Sequence, residues 1–259
     1  MINTKPNRPF LLYFFLWVAV AFQACTTNET FTFEKQKIAT ETLLDCKKKE
    51  CASIKINLVQ VLDNAPACKT MNSEIEKAAC SVLTIEEDQS YSNIDQAIKE
   101  FNQSYEDASN EFPEEIPPYE ATVDCELSFQ CKTMISVLMD SYIFTGGAHG
   151  YGAVSFINLD TKTGKPIKNK DLFKDYSVFM EYAERVFRSK YEILQNESIN
   201  STGFFFDNDT FALPENIGIT NTEVILYYNA YEISSYAEGP IEIKINKQDA
   251  ASYFAFDIL

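Results

Sequence analysis

Cys25 and His149 are the two side chains through which this chain can do distinctive chemistry. Cys25 closes the run Phe22-Gln23-Ala24-Cys25, directly after an apolar stretch from Phe10 to Phe22 and with Lys5 and Arg8 ahead of it. A charged start, a short apolar segment and a small residue before a cleavage point make a secretory signal. A thiol at the first mature position is a nucleophile on which acyl chains can be mounted. His149 is the only histidine of the chain and sits in Gly146-Gly147-Ala148-His149-Gly150. Any histidine-dependent general base, triad or metal site must use it. A single imidazole among scattered carboxylates falls short of the three protein ligands of catalytic zinc. The readings open to it are a bulged turn in which His149 is hydrogen-bonded for structure, or a binding role. No catalytic residue, metal or cofactor is expected.

The stretch before Cys25 is about 13 residues, short of the roughly 20 that span a bilayer. Gln23 and the polar Thr26-Thr27-Asn28-Glu29-Thr30 end it at once. The pattern resembles a bacterial lipobox, which implies cleavage before Cys25 and attachment of the mature chain to a membrane through lipid. Thr26, rather than an aspartate, follows the cysteine; by resemblance to Gram-negative sorting signals this implies the outer membrane, with the protein facing the periplasm.

Six further cysteines follow: Cys46, Cys51, Cys68, Cys80, Cys125 and Cys131. An even count in an exported chain points to disulfides. Proximity suggests Cys46–Cys51 and Cys125–Cys131 as short-loop bridges, which leaves Cys68–Cys80. On one helix, twelve residues at 1.5 Å rise would hold that last pair about 18 Å apart. Bridged Cα atoms lie within roughly 7 Å. The third bridge therefore needs Cys68 in the loop ahead of the helix, and Pro66 suits such a loop.

The chain carries 22 basic and 38 acidic residues, a net charge of −16, with 46% apolar and 14% aromatic residues. That composition supports a sizeable core. The acidic field repels the phosphates of nucleic acids and favours cationic partners.

Local patterns place the elements. Ile54, Ile56 and Leu58 alternate with Lys55 and Asn57, the period of a strand with one wet face. Lys47-Lys48-Lys49-Glu50 reads as a hairpin tip between two cysteines. A helix is predicted over Met71–Leu83, capped by Asn72 or Ser73, and a second over Ile94–Ala108, capped by Asn93. Glu111 to Tyr119 holds three prolines in an acidic stretch, which continues neither helix nor central strand. A lobe boundary is placed there. Paired carboxylates such as Glu86-Glu87 and Glu114-Glu115 read as solvated charge. Beyond the boundary, Cys125–Phe144 holds one or two strands, with another through Val154 and Phe156. The clearest helix follows, over Ser177–Leu194. Val224, Leu226 and Tyr228, then Ile241, Ile243 and Ile245, mark two late strands. The expectation is an α+β fold of two lobes with antiparallel sheets and packed helices. It divides into a signal at 1–24, a lipidated tether at 25–34, an N-terminal lobe at 35–112 and a C-terminal lobe at 119–259. Tyr231, Tyr236 and Glu232, with His149 and Tyr151, are the candidate binding residues, since tyrosines beside carboxylates suit a cationic protein or a sugar.

The string Gly146-Gly147-Ala148-His149-Gly150, then Asp160-x-x-x-Gly164-Lys165, then Asp171-Leu172-Phe173, resembles the RsiV-like extracytoplasmic domain, which is also similar to a domain appended to the peptidoglycan deacetylase PdaC. Phe205 to Gly218, Tyr227-Tyr228-Asn229-Ala230-Tyr231-Glu232-Ile233, Ser235-Tyr236-Ala237 and Gly239-Pro240 continue the likeness, which covers about Cys125 to Ile245. A weaker one over Ile38–Tyr105 looks like the small companion domain that precedes it. The resemblance implies two α+β lobes without catalysis of their own. In RsiV the domain binds lysozyme, and in PdaC the chemistry sits in a separate metal-dependent module. The resulting expectation is a lipid-anchored, non-enzymatic binding protein of the bacterial cell envelope, with a cationic protein such as lysozyme, or a peptidoglycan fragment, as partner and no nucleic acid. A peptidoglycan-acting enzyme or accessory using His149, and a structural envelope lipoprotein, are the alternatives.

Overall fold

Strand β2 (Ser53–Val61) organises the first half of the molecule. Its alternation buries Ile54, Ile56 and Leu58 and leaves Ser53 and Lys55 in water, as the period-two pattern requires. The computed structural model describes residues 30–46, 50–86, 89–91, 93–112 and 116–259. The signal at 1–24, Cys25 and the tether up to Glu29, the Lys47–Lys49 tip, Glu87 and the Glu114-Glu115 pair lie outside the described residues.

The expected tether ends early. Phe31 and Phe33 pack on the first core, and Phe33–Lys37 forms β1, antiparallel to β2. Thr32 donates its amide to Asp63 at 2.7 Å and accepts from Leu62 at 2.9 Å. A short helical turn, α1 (Thr40–Leu43), and the Cys46–Cys51 disulfide, with Cα atoms 5.6 Å apart, lead into β2.

Helix α2 (Pro66–Val82) begins five residues before the predicted start, because Pro66 supplies a preset φ at the first helical position. Asn72 therefore does not cap it. Its carboxamide instead bonds the amide and carbonyl of Val61 at 2.8 and 3.0 Å. Helix α3 (Ile94–Glu111) starts where predicted, with Asn93 accepting from the amide of Gln96 at 2.9 Å. It buries Ala97, Ile98, Phe101 and Tyr105 along one face.

Strands β3 (Glu120–Gln130), β4 (Met134–Phe144) and β5 (Tyr151–Asp160) then run as an antiparallel meander. β3 pairs with β2 in parallel. A parallel neighbour needs a long crossover, and α2 with α3 supplies it. One five-stranded sheet results, in the order β1-β2-β3-β4-β5. The large sheet holds one parallel pair beside its antiparallel ones, and it runs across the boundary placed at 112–119. The first core confirms the second point, since it joins Ile54, Ile56, Ile75 and Phe101 to Val123, Val137 and Met139.

The disulfide framework is also corrected. Cys68, Cys80, Cys125 and Cys131 are free thiols. Cys68 and Cys80 both lie within α2, at the separation that forbids a bridge. Cys125 and Cys131 are separated by six residues of extended chain, about 20 Å at strand rise, because β3 runs straight through to Gln130 before turning.

The second body is built on α4 (Tyr176–Lys190), capped by the Asp175 carboxylate. Beside it lies an antiparallel sheet of β6 (Asn216–Ile219), β7 (Glu223–Tyr228) and β8 (Ile241–Asn246). α5 (Lys247–Ala250) follows directly. Phe187 of α4 stands at the centre of its core, edge-on to Phe204, Phe206 and Tyr228 at 4.9 to 6.3 Å between ring centroids. Leu172 and Phe173 are buried in the same core, and Phe173 stacks on Phe179 at 3.9 Å. β6 lies across the face of the large sheet that α2 and α3 leave free. Asn158 donates to the carbonyl of Ile217 at 2.7 Å, and the ring of Phe156 occupies the space a Cβ on Gly218 would need.

Candidate functional site

The Gly-Gly-Ala-His-Gly string forms the turn between β4 and β5. Gly146 and Gly147 both take positive φ, +93° and +91°, which glycine alone adopts readily. Gly150 is needed for another reason: the ring of Tyr142 lies where its Cβ would stand. The other singled-out glycine, Gly164, has φ +72° and lies against the first turn of α2 at Ala67, Thr70 and Met71. Asp160 sets up that turn by accepting from the amide and hydroxyl of Thr163 at 2.7 and 2.8 Å.

A second loop, residues 229–240 between β7 and β8, docks on this turn. Asn229 begins it. Its carboxamide accepts from the amide of Val154 at 2.8 Å and donates to the carbonyl of the same residue at 2.9 Å, so a side chain occupies the place of a neighbouring strand. Two tyrosines then cross between the loops. Tyr236 donates its hydroxyl to the carbonyl of Gly150 at 3.2 Å, and Tyr151 donates to that of Ala230 at 3.4 Å.

This exchange brings four of the five predicted binding residues together. His149 is exposed and stacks on Tyr236, with centroids 4.1 Å apart and planes at 17°. Tyr236 continues the stack to Tyr231 at 5.6 Å and 27°. Tyr151 lies beside them through its bond to Ala230. Tyr231 is 55% exposed and holds φ at +72°, a left-handed conformation that is an outlier for a bulky side chain. The fifth residue, Glu232, turns inward. Its two oxygens accept the amides of Glu215 and Asn229 at 3.1 and 2.9 Å. Burial holds its carboxyl above the ordinary glutamate range, against the pull of those two donors.

For His149 the only hydrogen-bond partner among the described residues is the Gly150 carbonyl, 3.1 Å from Nδ1. Among the described residues no carboxylate orients the imidazole as a base would require. Among the described residues no group of three or more histidine, cysteine, aspartate and glutamate side chains is placed to hold a metal ion. No described helix is long and apolar enough to cross a membrane.

Sequence reasoning missed Asn229 and Tyr142. Asn229 gives no periodic signal, because its role depends on a strand 75 residues away.

Comparison with known proteins agrees with this architecture. Residues 46–151 match the family described as Deacetylase PdaC, and residues 170–248 match the family described as Protein of unknown function (DUF3298). A DUF3298-family crystal structure from Bacteroides fragilis superposes with a TM-score of 0.63 at 21% identity, covering 89% of this chain and 96% of that one. Another, from Pseudomonas aeruginosa PAO1, gives 0.57 at 19% identity, covering 89% and 95%. At these identities the likeness is one of fold. No curated protein matches the chain significantly in sequence. The two matches are consistent with an RsiV-like, PdaC-associated domain of unknown function.

Proposed function

From a chain in which a PdaC-matching region leads into a DUF3298 domain, we propose a lipid-anchored, non-catalytic binding protein of the bacterial cell envelope. The observation that carries this reading is the exposed stack of His149, Tyr236 and Tyr231, fixed between two loops that bond each other reciprocally. Rigid aromatic side chains present large contact area at little entropic cost, and they anchor interfaces more often than other residues. The left-handed Tyr231 supports the same reading. Backbone strain at an exposed aromatic residue is retained where presentation of the ring matters. The net charge of −16 favours a cationic protein, with lysozyme as the concrete case, over a neutral cell-wall fragment. Cys25 supplies the anchor and the outer membrane the location.

The experiment is a calorimetric titration of the soluble mature chain with lysozyme at low and raised salt. Saturable binding that weakens with salt supports the reading. Absence of binding at both concentrations removes the lysozyme version. Binding of muropeptides instead would transfer the surface to the cell wall. Incorporation of radiolabelled palmitate into the wild-type chain, and its loss in Cys25→Ser, tests the anchor.

A further inference from the structure

Beside the aromatic stack the two sheets part to leave a cleft of about 410 Å³, lined among others by Asp140, Val154, Tyr227, Ala230 and Tyr236. Strand register explains the lining. Asp140 pairs with Val154 and Tyr142 with Gly152 across β4 and β5, so these four residues share one face. It is the face on which β6 lies farther along. Tyr227 comes from β7, where alternation sends Tyr228 into the second core and turns Tyr227 the other way.

Asp140 is the one charged side chain in the lining. The carboxylates around it are already matched. Asp124, directly across β3, is held by Lys35 at 2.7 Å and Asn57 at 2.9 Å. Glu242, across β8 from Tyr227, meets Lys244 at 3.2 Å. Asp140 meets no lysine or arginine among the described residues. The Tyr227 phenol responds to this surrounding: burial raises it first, and Glu242, Asp140 and Tyr151 raise it further. Asp140 is exposed at the mouth of the cleft beside Tyr227 and Tyr236, and a carboxylate so placed attracts a cation by charge-assisted hydrogen bonding.

We propose that this cleft admits the charged end of a lysine or arginine side chain presented by a protein partner. Asp140 pairs with the cation, and the rings of Tyr227 and Tyr236 flank it. The inference rests on the binding reading above and specifies the chemistry of the residue that the partner inserts. Its neighbour, the exposed stack, then takes the surrounding surface.

The test is a titration of the isotope-labelled mature chain, followed by amide NMR, with Nα-acetyl-L-arginine amide, its neutral citrulline counterpart and N-acetylglucosamine. The arginine compound is expected to shift the signals of Ala153, Ala230 and Gly239 saturably, and the two neutral compounds to leave them unmoved. Asp140→Asn is expected to weaken the response at least fivefold with the rest of the spectrum intact. Equal shifts from citrulline or the sugar overturn the proposal. So does an arginine titration that leaves those signals still, or one that Asp140→Asn does not weaken. The two readings fail separately. Lysozyme binding that survives Asp140→Asn removes the cleft and keeps the surface. A positive arginine titration without lysozyme binding keeps the cleft and removes that partner.

Discussion

Asn229 stands in for a β-strand beside Val154, closing that residue's amide at 2.8 Å and its carbonyl at 2.9 Å with one carboxamide. Asn229→Ala leaves both backbone groups unmatched and half-buried. The expected loss is about 1–3 kcal/mol. Hydrogen exchange at the Val154 amide is expected to rise to the level of an exposed edge, while exchange within β2 and β3 stays unchanged.

Gly150 and Tyr142 form a second coupled pair. Gly150→Ala drives a methyl group against the far end of the Tyr142 ring, and because that side chain is exposed and can swing aside the cost is expected at the low end of overpacking, about 1 kcal/mol. Tyr142→Ala in the same chain is expected to recover most of that loss. Denaturant melts of the two single variants and the double variant measure the coupling. Additive losses would show that the ring is not what excludes a side chain at position 150.

Tyr231 separates stability from recognition. Its φ of +72° suits asparagine, which tolerates the left-handed region through its short polar side chain. Tyr231→Asn is expected to keep the folding free energy within about 1 kcal/mol of wild type. In a lysozyme titration the same variant is expected to bind at least tenfold more weakly, a loss of about 1.4 kcal/mol.

Alkylation distinguishes the thiols. In denaturant without reductant, Cys68, Cys80, Cys125 and Cys131 are expected to react, and Cys46 and Cys51 are not. Among these four, only Cys131, half-buried in the turn after β3, is expected to react in the native protein. Burial encloses the other three and raises their thiols, Cys80 to about 11 and Cys125 to about 12, which suppresses the reactive thiolate.

Glu232 gives stability a pH dependence of definite sign. Burial raises its carboxyl above its ordinary 4.5 in the folded state. An acid raised on folding contributes its full stabilisation below that ordinary value and loses it as pH rises through the folded one. Thermal stability is therefore expected to fall from pH 4 towards neutrality by a component that Glu232→Gln removes. A wild-type profile identical to that of the variant would place the carboxylate in water.

Periodicity was a sufficient guide wherever one element faces one core. β2, α3, β7 and β8 were legible because each alternates or repeats against a single apolar surface. α4 was legible for the same reason up to Lys190. Partnership between distant strands was not. Nothing in Ser53–Asn57 announces that Glu120–Asp124 will lie alongside it in parallel, so the prolines between Glu111 and Tyr119 read as a division when they lie within a crossover. Cysteine parity misled in the same way, since the count is even whether or not the geometry closes. Of the candidate site, the aromatic residues were visible as exposed oddities beside glycines. The bonds of Glu232 were not legible, because its carboxylate serves two backbone amides that only the folded loop brings within reach.

The parallel seam between β2 and β3 has a practical corollary for anyone who severs this polypeptide. Scission between residues 112 and 116 yields two fragments, each carrying half of one apolar interior and an open strand edge shaped for the other. The second fragment keeps the whole of the second core, but both expose that edge to water, and mixed together they should dock along that seam. The chain is thereby suited to conversion into a two-piece reporter whose reassembly signals that its halves have met.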